Sequence, residues 1–174
     1  MKVIITQREA LKVVGIRILT TVEENRIPQL WTDFIARMDE LGKNAVPDCS
    51  LGICFSDNET ELLEDSQFNY MACKVVKDDS IVPVGMEYRK ISSQLVAVFT
   101  HVGSLETLGE TYDYIYEKWL PGSEYELVSA DEIEWYDSRF NFGEKESQMD
   151  IHIPIAKRDN KDNINDGLLF TNEN

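Results

Sequence analysis

The first half of the chain carries apolar patterns that predict a strand followed by a helix. Residues 11–19 are rich in β-branched side chains, which favour a strand, and Gly15 within them indicates a bulge or a close backbone approach. Residues 28–41 carry apolar side chains at helical spacing, and Pro28 suits the first turn of a helix. Gly42 follows directly and supplies a stop signal. We therefore expect one helix over residues 28–41.

Three shorter segments follow this helix and complete the first half. Residues 51–55 and 68–76 have the composition of strands, and an acidic, turn-forming stretch separates them. Such a pair is expected to form a hairpin with a long connecting loop. After a turn at Pro83 and Gly85, residues 86–91 predict a short edge strand.

The second half begins with the same succession of a strand and a helix. Residues 95–101 predict the strand. Ser104 is placed to cap the helix, whose positive first turn would hold Glu106. Apolar side chains at helical spacing continue over residues 104–119, until Pro121 and the glycine after it end the pattern.

Two more strands, over residues 132–136 and 149–155, close the second half. Both halves thus have the order strand, helix, strand, strand, at an offset of roughly 80 residues, which indicates an internal duplication. The fold class predicted is α+β, with two duplicated units, an antiparallel sheet and a crevice between the units. The expected repeats are about residues 1–91 and 92–156, followed by a flexible polar tail over residues 157–174.

Composition and charge narrow the classes of function. The 174 residues are 43% hydrophobic and 28% charged, which is enough apolar surface for a packed core. The formal net charge is -15, from 32 acidic and 17 basic residues, so the protein repels phosphate backbones and attracts cations. Direct binding to nucleic acid is therefore not expected. A solvated acidic surface of a soluble protein would give the same balance.

The cysteines and the N-terminus bear on the compartment. Cys49, Cys54 and Cys73 are odd in number and lack CxxC spacing, so neither a disulfide framework nor a zinc site is predicted. The first residues contain no long apolar run after the basic residue, and no stretch approaches the length of a membrane span. We expect a cytoplasmic protein with no membrane partner.

Alternation along the last two predicted strands places acidic residues on shared faces. Glu132, Glu134 and Tyr136 lie on one face of their strand, and Asp150 and His152 lie opposite the isoleucines of theirs. If the two strands are antiparallel neighbours, Glu134 and Asp150 could lie close together on a concave surface. Acidic residues that face solvent on a one-sided sheet would show the same alternation.

Aromatic residues accumulate in the elements that would wall the crevice. They are Trp31, Phe34, Phe55, Tyr70, Tyr88, Phe99, Tyr112, Tyr116, Trp119, Trp135 and Tyr136. Each one alone is as well explained by the core. Aromatic faces beside a carboxylate nevertheless form the environment that holds a flat or lipophilic cation, through stacking, cation–π attraction and charge pairing.

Several strings of the sequence resemble one known family. FTHVGSLETLGETYDYIYEKWLP, IEWYD and DIHIPI are similar to the second half of the GyrI-like effector-binding domain. VVGIR, FNYMACKVV and PVGME resemble its first half, so the match spans roughly residues 13–155. This family is found fused to AraC-type and MerR-type transcription regulators and also as stand-alone proteins. The ordered combination of its motifs is more specific than any one of them.

The resemblance implies a ligand cleft on the pseudo-twofold axis, in which an acidic residue among aromatic rings accepts a lipophilic cation. By position, Glu134 and Tyr136 match the family's Glu-x-Tyr pair, and Asp150 matches the acid of the last strand. The chain departs from the family where Asp150 replaces the usual Glu and His152 stands where Tyr is common. A protonated His152 would oppose a cation and a neutral one would not. The candidate ligand-binding residues are Glu134, Tyr136, Asp150, His152, Phe99, Tyr112, Trp31 and Tyr70.

Three roles remain open on the sequence alone. Because the chain begins almost at the first strand, we expect a stand-alone domain without its own helix-turn-helix. It could capture cationic compounds, hydrolyse strained electrophiles with Glu134 as general base and Tyr136 as steering group, or bind a protein partner such as gyrase or a regulator. The only two histidines have no acidic or cysteine partner at metal-ligand spacing, and no phosphate-binding motif is present. No cofactor and no metal are therefore predicted.

Overall fold

The computed structural model describes residues 1–56 and 66–158, which contain nine strands in one antiparallel sheet. The strands are β1 (Val3–Arg8), β2 (Leu11–Thr20), β3 (Cys49–Cys54), β4 (Phe68–Val75), β5 (Glu87–Ile91), β6 (Gln94–Val102), β7 (Tyr125–Leu127), β8 (Glu132–Asp137) and β9 (Gln148–Lys157). All the predicted strands are present, and β1 and β7 are additional ones. The predicted tail lies outside the described residues from residue 159 onward, as does most of the loop between β3 and β4.

The order of the strands confirms the predicted duplication and the α+β fold. It runs β1-β6-β9-β8-β3-β4-β2-β5, with β7 added on β9. The list reads the same in reverse when β1 is exchanged for β5, β6 for β2, β9 for β4 and β8 for β3. The last three exchanges relate the two halves, whereas β1 and β5 both lie within residues 1–91, so the second unit takes its outer strand from the start of the chain. A pseudo-twofold axis therefore passes between β3 and β8, at the centre of the sheet.

Gly15 lies at a close backbone approach, as the sequence indicated. It pairs with Cys73 of β4, and the register continues through its neighbours without an inserted residue. A Cβ atom at Gly15 would lie 2.0 Å from the carbonyl oxygen of Ala72. The glycine therefore serves the close packing of β2 on β4, and there is no bulge at this position.

The first helix is shorter than predicted. Helix α1 spans Ile27–Ile35, and a separate 3-10 helix spans Met38–Asn44. The chain tightens at Arg37, whose backbone N–H donates to the carbonyl of Phe34 at 3.0 Å and whose side chain donates to Glu40. Gly42 then adopts a φ of 52°, which ends the helical pattern where the sequence placed the stop.

The second helical segment, residues 105–122, changes character along its length. It contains a 3-10 turn (Leu105–Thr107), helix α2 (Leu108–Asp113), a π-helical turn (Tyr114–Trp119) and a last turn, α3 (Leu120–Gly122). The hydroxyl oxygen of Ser104 accepts the N–H of Glu106 at 3.2 Å, which confirms the predicted cap. Apolar spacing did not predict the π-helical turn, because such turns are rare and the prediction used α-helical spacing throughout.

His101 joins β6 to this second helical segment. Its Nε2 lies 3.1 Å from the carbonyl oxygen of Ser104, which can only accept, so Nε2 carries the proton. Nδ1 lies within hydrogen-bond distance of the Thr111 hydroxyl, at 2.8 Å. The buried imidazole has partners on both nitrogens and serves a structural role.

The sheet has two buried faces. We call the face that packs against α1 and the second helical segment the helix face, and the other the reverse face. The reverse face buries an apolar cluster of its own, which contains Val13, Leu51, Ile53, Met71, Cys73, Ile91 and Ile133. The short connections Glu9-Ala10 and Ser92-Ser93 link strands from opposite ends of the order, so the sheet must curl around this face. Among the described residues, no helix has the length and apolar content required to span a membrane.

Candidate functional site

Glu134 lies at the centre of the helix face. It pairs with Gly52 of β3 on one side and with Ile151 of β9 on the other. Residues directly opposite in an antiparallel ladder point to the same face, and Ile151 belongs to the core that packs on the second helical segment. The half-buried carboxylate of Glu134 therefore points between the two helices, next to the pseudo-twofold axis.

Three tyrosines from three different elements donate hydrogen bonds to this carboxylate. The hydroxyls of Tyr70 on β4 and Tyr136 on β8 lie 2.5 and 2.8 Å from Oε2. The hydroxyl of Tyr112 on α2 lies 3.0 Å from Oε1. Hydrogen bonds to an ionised group are stronger than those between neutral groups, so these contacts fix the position of the carboxylate. The sequence predicted all four residues as members of one site, and the structure brings them together.

Burial shapes the titration of these tyrosines. It raises the pKa of Tyr70, Tyr112 and Tyr136 well above the ordinary value of 10.0, and the nearby charge of Glu134 raises it further. The three hydroxyls therefore keep their protons at neutral pH and remain donors. The negative charge at the centre of the site belongs to Glu134 and not to its neighbours.

Trp31 completes the aromatic enclosure on the side of α1. Its indole Nε1 donates to the hydroxyl of Tyr70 at 3.4 Å, and its ring meets Tyr136 edge to face with centroids 5.1 Å apart. Tyr136 in turn packs edge to face on Phe140 at 4.8 Å. Aromatic rings from both halves of the duplication therefore surround the same carboxylate.

A second tyrosine–glutamate pair lies next to the first and was not among the predicted site residues. Tyr116 donates its hydroxyl to Glu132, which shares the helix face with Glu134. The rings of Tyr112 and Tyr116 are nearly parallel, with centroids 6.3 Å apart. Burial raises the pKa of Glu132, the Tyr116 hydrogen bond opposes this, and the charge of Glu134 adds to it. Alternation along β8 was the signal that could have identified Glu132.

Cys54 is the register partner of Glu132 and lies at the same end of the site. Burial, followed by the charges of Glu132 and Glu134, raises the pKa of its thiol to about 12. The thiol is thus protonated and weakly nucleophilic at neutral pH.

The expectation that Glu134 and Asp150 share a surface is wrong. Asp150 pairs with Trp135, so it points to the reverse face. It accepts hydrogen bonds from the Thr100 hydroxyl at 2.7 Å and from the Arg139 guanidinium at 2.6 Å. Arg139 is shared between this carboxylate and that of Asp137, and the sheet separates Asp150 from the tyrosine cluster.

His152 also lies on the reverse face. Its ring stacks on Trp135, with centroids 5.5 Å apart and planes 9° apart. Burial, with a smaller contribution from the charge of Arg8, lowers the pKa of His152 to about 4, against the opposing effect of Asp150. The imidazole is therefore neutral at neutral pH, and it lies across the sheet from Glu134.

Phe99 is on the helix face, but it belongs to the core. It is fully buried and meets Trp119 edge to face at 4.9 Å. It supports the second helical segment from within the apolar core. Of the eight predicted residues, the structure thus assembles five: the carboxylate of Glu134 and, around it, Tyr136, Tyr112, Trp31 and Tyr70.

The chemistry of this assembly favours holding a positive charge. The carboxylate of Glu134 makes no salt bridge with any described residue, and its hydrogen-bond partners are neutral hydroxyls. Aromatic faces add cation–π attraction, which strengthens where water is excluded. Within residues 1–56 and 66–158, no group of three His, Cys, Asp or Glu side chains is arranged to hold a metal ion.

Comparison with known sequences identifies the family. Residues 1–156 match the model of the GyrI-like small molecule binding domain. One relative is the transcriptional regulator BrlR of Pseudomonas aeruginosa, which is 33% identical over 152 residues. These residues are 87% of this chain and 54% of BrlR, so the chain spans about half the length of that regulator.

Solved structures show the same fold at low sequence identity. SAV2435 bound to tetraphenylphosphonium is similar with a TM-score of 0.67 and 17% identity, over 90% of this chain and 94% of that one. The C-terminal domain of EcmrR is similar with a TM-score of 0.67 and 15% identity, over 90% of this chain and 98% of the domain. The chain therefore belongs to the family of GyrI-like small-molecule-binding domains and is related to the effector domains of transcription regulators.

Proposed function

We propose that this domain binds lipophilic cations at Glu134, within the enclosure of Tyr70, Tyr112, Tyr136 and Trp31. One observation carries the proposal. Glu134 is a half-buried carboxylate that accepts hydrogen bonds from three neutral hydroxyls, and it has no ion pair among the described residues. A carboxylate in a low-dielectric environment gains much from a cation, because both charges are poorly solvated there.

The arrangement also explains how a ligand could replace the present contacts. A phenol hydroxyl can rotate away from the carboxylate without leaving its ring position, so the rings can remain as walls. The apolar parts of the ligand would then pack on Trp31 and the tyrosine rings, and its charge would lie near Glu134. Tetraphenylphosphonium, bound by the structurally similar SAV2435, combines these two properties, which supports this choice of ligand class.

The wider setting supports a role in sensing. The net charge of -15 draws cations towards the molecule and opposes contact with nucleic acid. Since BrlR and EcmrR are regulators with a domain of this fold, we infer that a transcription regulator in the cytoplasm is the partner of the liganded domain. A partner that co-purifies only in the absence of ligand would point to an interaction module instead.

Hydrolysis is less well supported by the geometry. A hydrolase would need Glu134 to take a proton from water, yet its two oxygens already accept three hydroxyl hydrogen bonds. This arrangement favours holding a charge over activating water. Turnover of a strained electrophile that is lost in Glu134→Gln would favour the enzyme, and turnover that persists in that variant would remove Glu134 from the role.

Two ions of similar shape and opposite charge test the proposal. Tetraphenylphosphonium and tetraphenylborate both carry four phenyl rings, so their affinities differ mainly through charge. We expect titration calorimetry and quenching of tryptophan fluorescence to show tighter binding of the phosphonium ion. Equal or tighter binding of tetraphenylborate would contradict the proposed function.

A further inference from the structure

Gly52 occupies the position that the duplication makes equivalent to Glu134. Gly52 on β3 pairs with Ala72 of β4, and Glu134 on β8 pairs with Ile151 of β9. Gly52 and Glu134 also pair with each other, across the centre of the strand order. The pseudo-twofold axis therefore passes beside this pair, with a carboxylate on one side and no side chain on the other.

The space above Gly52 is filled by the hydrogen bond between Tyr70 and Glu134. A Cβ atom at Gly52 would lie 1.9 Å from the hydroxyl oxygen of Tyr70, 2.7 Å from its Cζ and 2.8 Å from Oε2 of Glu134. All three distances are below any normal contact. The backbone of Gly52 is not among the positive-φ positions, so glycine is required here for space and not for conformation.

Tyr70 has little freedom to move aside. Its side chain is 3% exposed, and it packs in the core beneath α1. Its hydroxyl accepts a hydrogen bond from Trp31 and donates one to Glu134, so it already acts as both acceptor and donor. A methyl group at residue 52 would displace the Tyr70 hydroxyl, the Glu134 carboxylate or both.

We propose that Gly52 is a positioning residue that sets the charge preference of the cleft. It holds open the space in which Tyr70 orients Glu134, and it leaves the carboxylate of Glu134 without an acidic counterpart across the axis. An acidic residue there would instead face Glu134 across the ladder, and two such carboxylates repel and share a proton. The inference rests on the proposed function and names the residue that enables it.

The matched substitutions are Gly52→Ala and Gly109→Ala. Gly109 has no atom within 4 Å of the position its Cβ would take, so the same chemical change there meets open space. In Gly52→Ala we expect the affinity for tetraphenylphosphonium to fall by about tenfold or more, as for loss of a contact to a charged group. The affinity for tetraphenylborate should change by no more than about twofold, because the aromatic walls remain. Gly109→Ala should match the unsubstituted protein with both ions.

A second variant keeps the test decisive if Gly52→Ala does not fold. Tyr70→Phe removes the hydroxyl that Gly52 accommodates and leaves residue 52 unchanged. It should fold, as circular dichroism and thermal unfolding would show, and should lose part of the preference for the phosphonium ion. The combination Gly52→Ala with Tyr70→Phe removes the shortest clash, and should recover stability without recovering the preference.

The outcomes separate this inference from the function on which it rests. If the unsubstituted protein shows no preference for tetraphenylphosphonium, the proposed function fails. If it shows the preference and folded Gly52→Ala keeps the same ratio of affinities, the role assigned to Gly52 is wrong. An equal loss of affinity for both ions in folded Gly52→Ala would also overturn this role, since that result would indicate general damage to the cleft.

Discussion

Strand β8 presents two different environments on its two faces, at neighbouring residues. On the helix face, Glu134 is held by three tyrosine hydroxyls. On the reverse face, Trp135 pairs with Asp150, whose carboxylate is held by Arg139 and Thr100. Both acids come from the same two-strand ladder and are partly buried, yet among the described residues only Asp150 has a cationic partner.

This difference separates an acid that is paired within its own chain from the acid that we propose to bind the ligand. The ion pair with Arg139, which also binds Asp137, ties the loop after β8 to β9 and gives Asp150 a cationic partner within the chain. Neutral hydroxyl donors stabilise Glu134 without cancelling its charge, so its field remains available to a ligand. What surrounds a carboxylate therefore predicts its role better than the presence of a carboxylate in the crevice.

The largest effect is expected from exchanging each acid for its amide. Glu134→Gln should weaken binding of tetraphenylphosphonium by about 1–3 kcal/mol, because the ligand loses its charged partner. Asp150→Asn is the matched control on the other face and should weaken binding less. Calorimetric titration of both folded variants provides the measurement. A greater loss of affinity in Asp150→Asn would mean that the ligand lies on the reverse face.

The burial of His152 on the reverse face should make the free energy of unfolding depend on pH. Its pKa is lowered from 6.5 to about 4, so between these values the unfolded chain binds a proton that the folded protein excludes. The free energy of unfolding should therefore fall as the pH drops from 6.5 towards 4, and the contribution of His152 is fully present above 6.5. Urea unfolding across this range should show that the free energy of unfolding depends less on pH in His152→Phe. This variant keeps a ring against Trp135 but does not titrate.

Two results would change this interpretation of His152. An unaltered pH dependence in His152→Phe would assign the titration to other groups. A loss of tetraphenylphosphonium binding in this variant at pH 7 would place the ring in the ligand site and remove the distinction between the faces.

The smallest effect is expected from the ion pair of Asp150. The Arg139 side chain is 40% exposed and that of Asp150 is 19% exposed, so solvent screens their attraction. Asp150→Asn and Arg139→Gln should each lower the free energy of unfolding by about 1 kcal/mol or less. In the double variant the free energy of unfolding should fall by less than the sum of the two single decreases, since both substitutions remove the same contact. Strict additivity would show that the pair contributes nothing to the stability of this face.

Apolar spacing predicted most of the fold. The β-branched runs identified the main strands, the helical stripes identified both helical regions, and the repeated order revealed the duplication. These features are local, so they can be derived from neighbouring residues alone. The break between α1 and the 3-10 helix depends instead on contacts of Arg37 with Glu40 and with the carbonyl of Val84, a residue far along the chain.

The site was predicted only in part, for a reason that lies in the register. Alternation shows which residues of one strand share a face, but not which face of the next strand they meet. A shift of one residue decides whether Asp150 joins Glu134 or Trp135, and the structure pairs it with Trp135. The space at Gly52 and the pairing of Glu132 with Tyr116 likewise require the packing of three elements, which no local pattern contains.

A crystal structure of the complex with tetraphenylphosphonium would test the central claim most directly. We expect the phosphorus atom on the helix face, with at least one phenyl ring against Trp31 or a tyrosine of the site and the cation within about 6 Å of an aromatic ring centre. At least one of the three tyrosine hydroxyls should then have moved away from Glu134. A ligand bound against Trp135 and His152, with all three hydroxyls still on Glu134, would contradict the account.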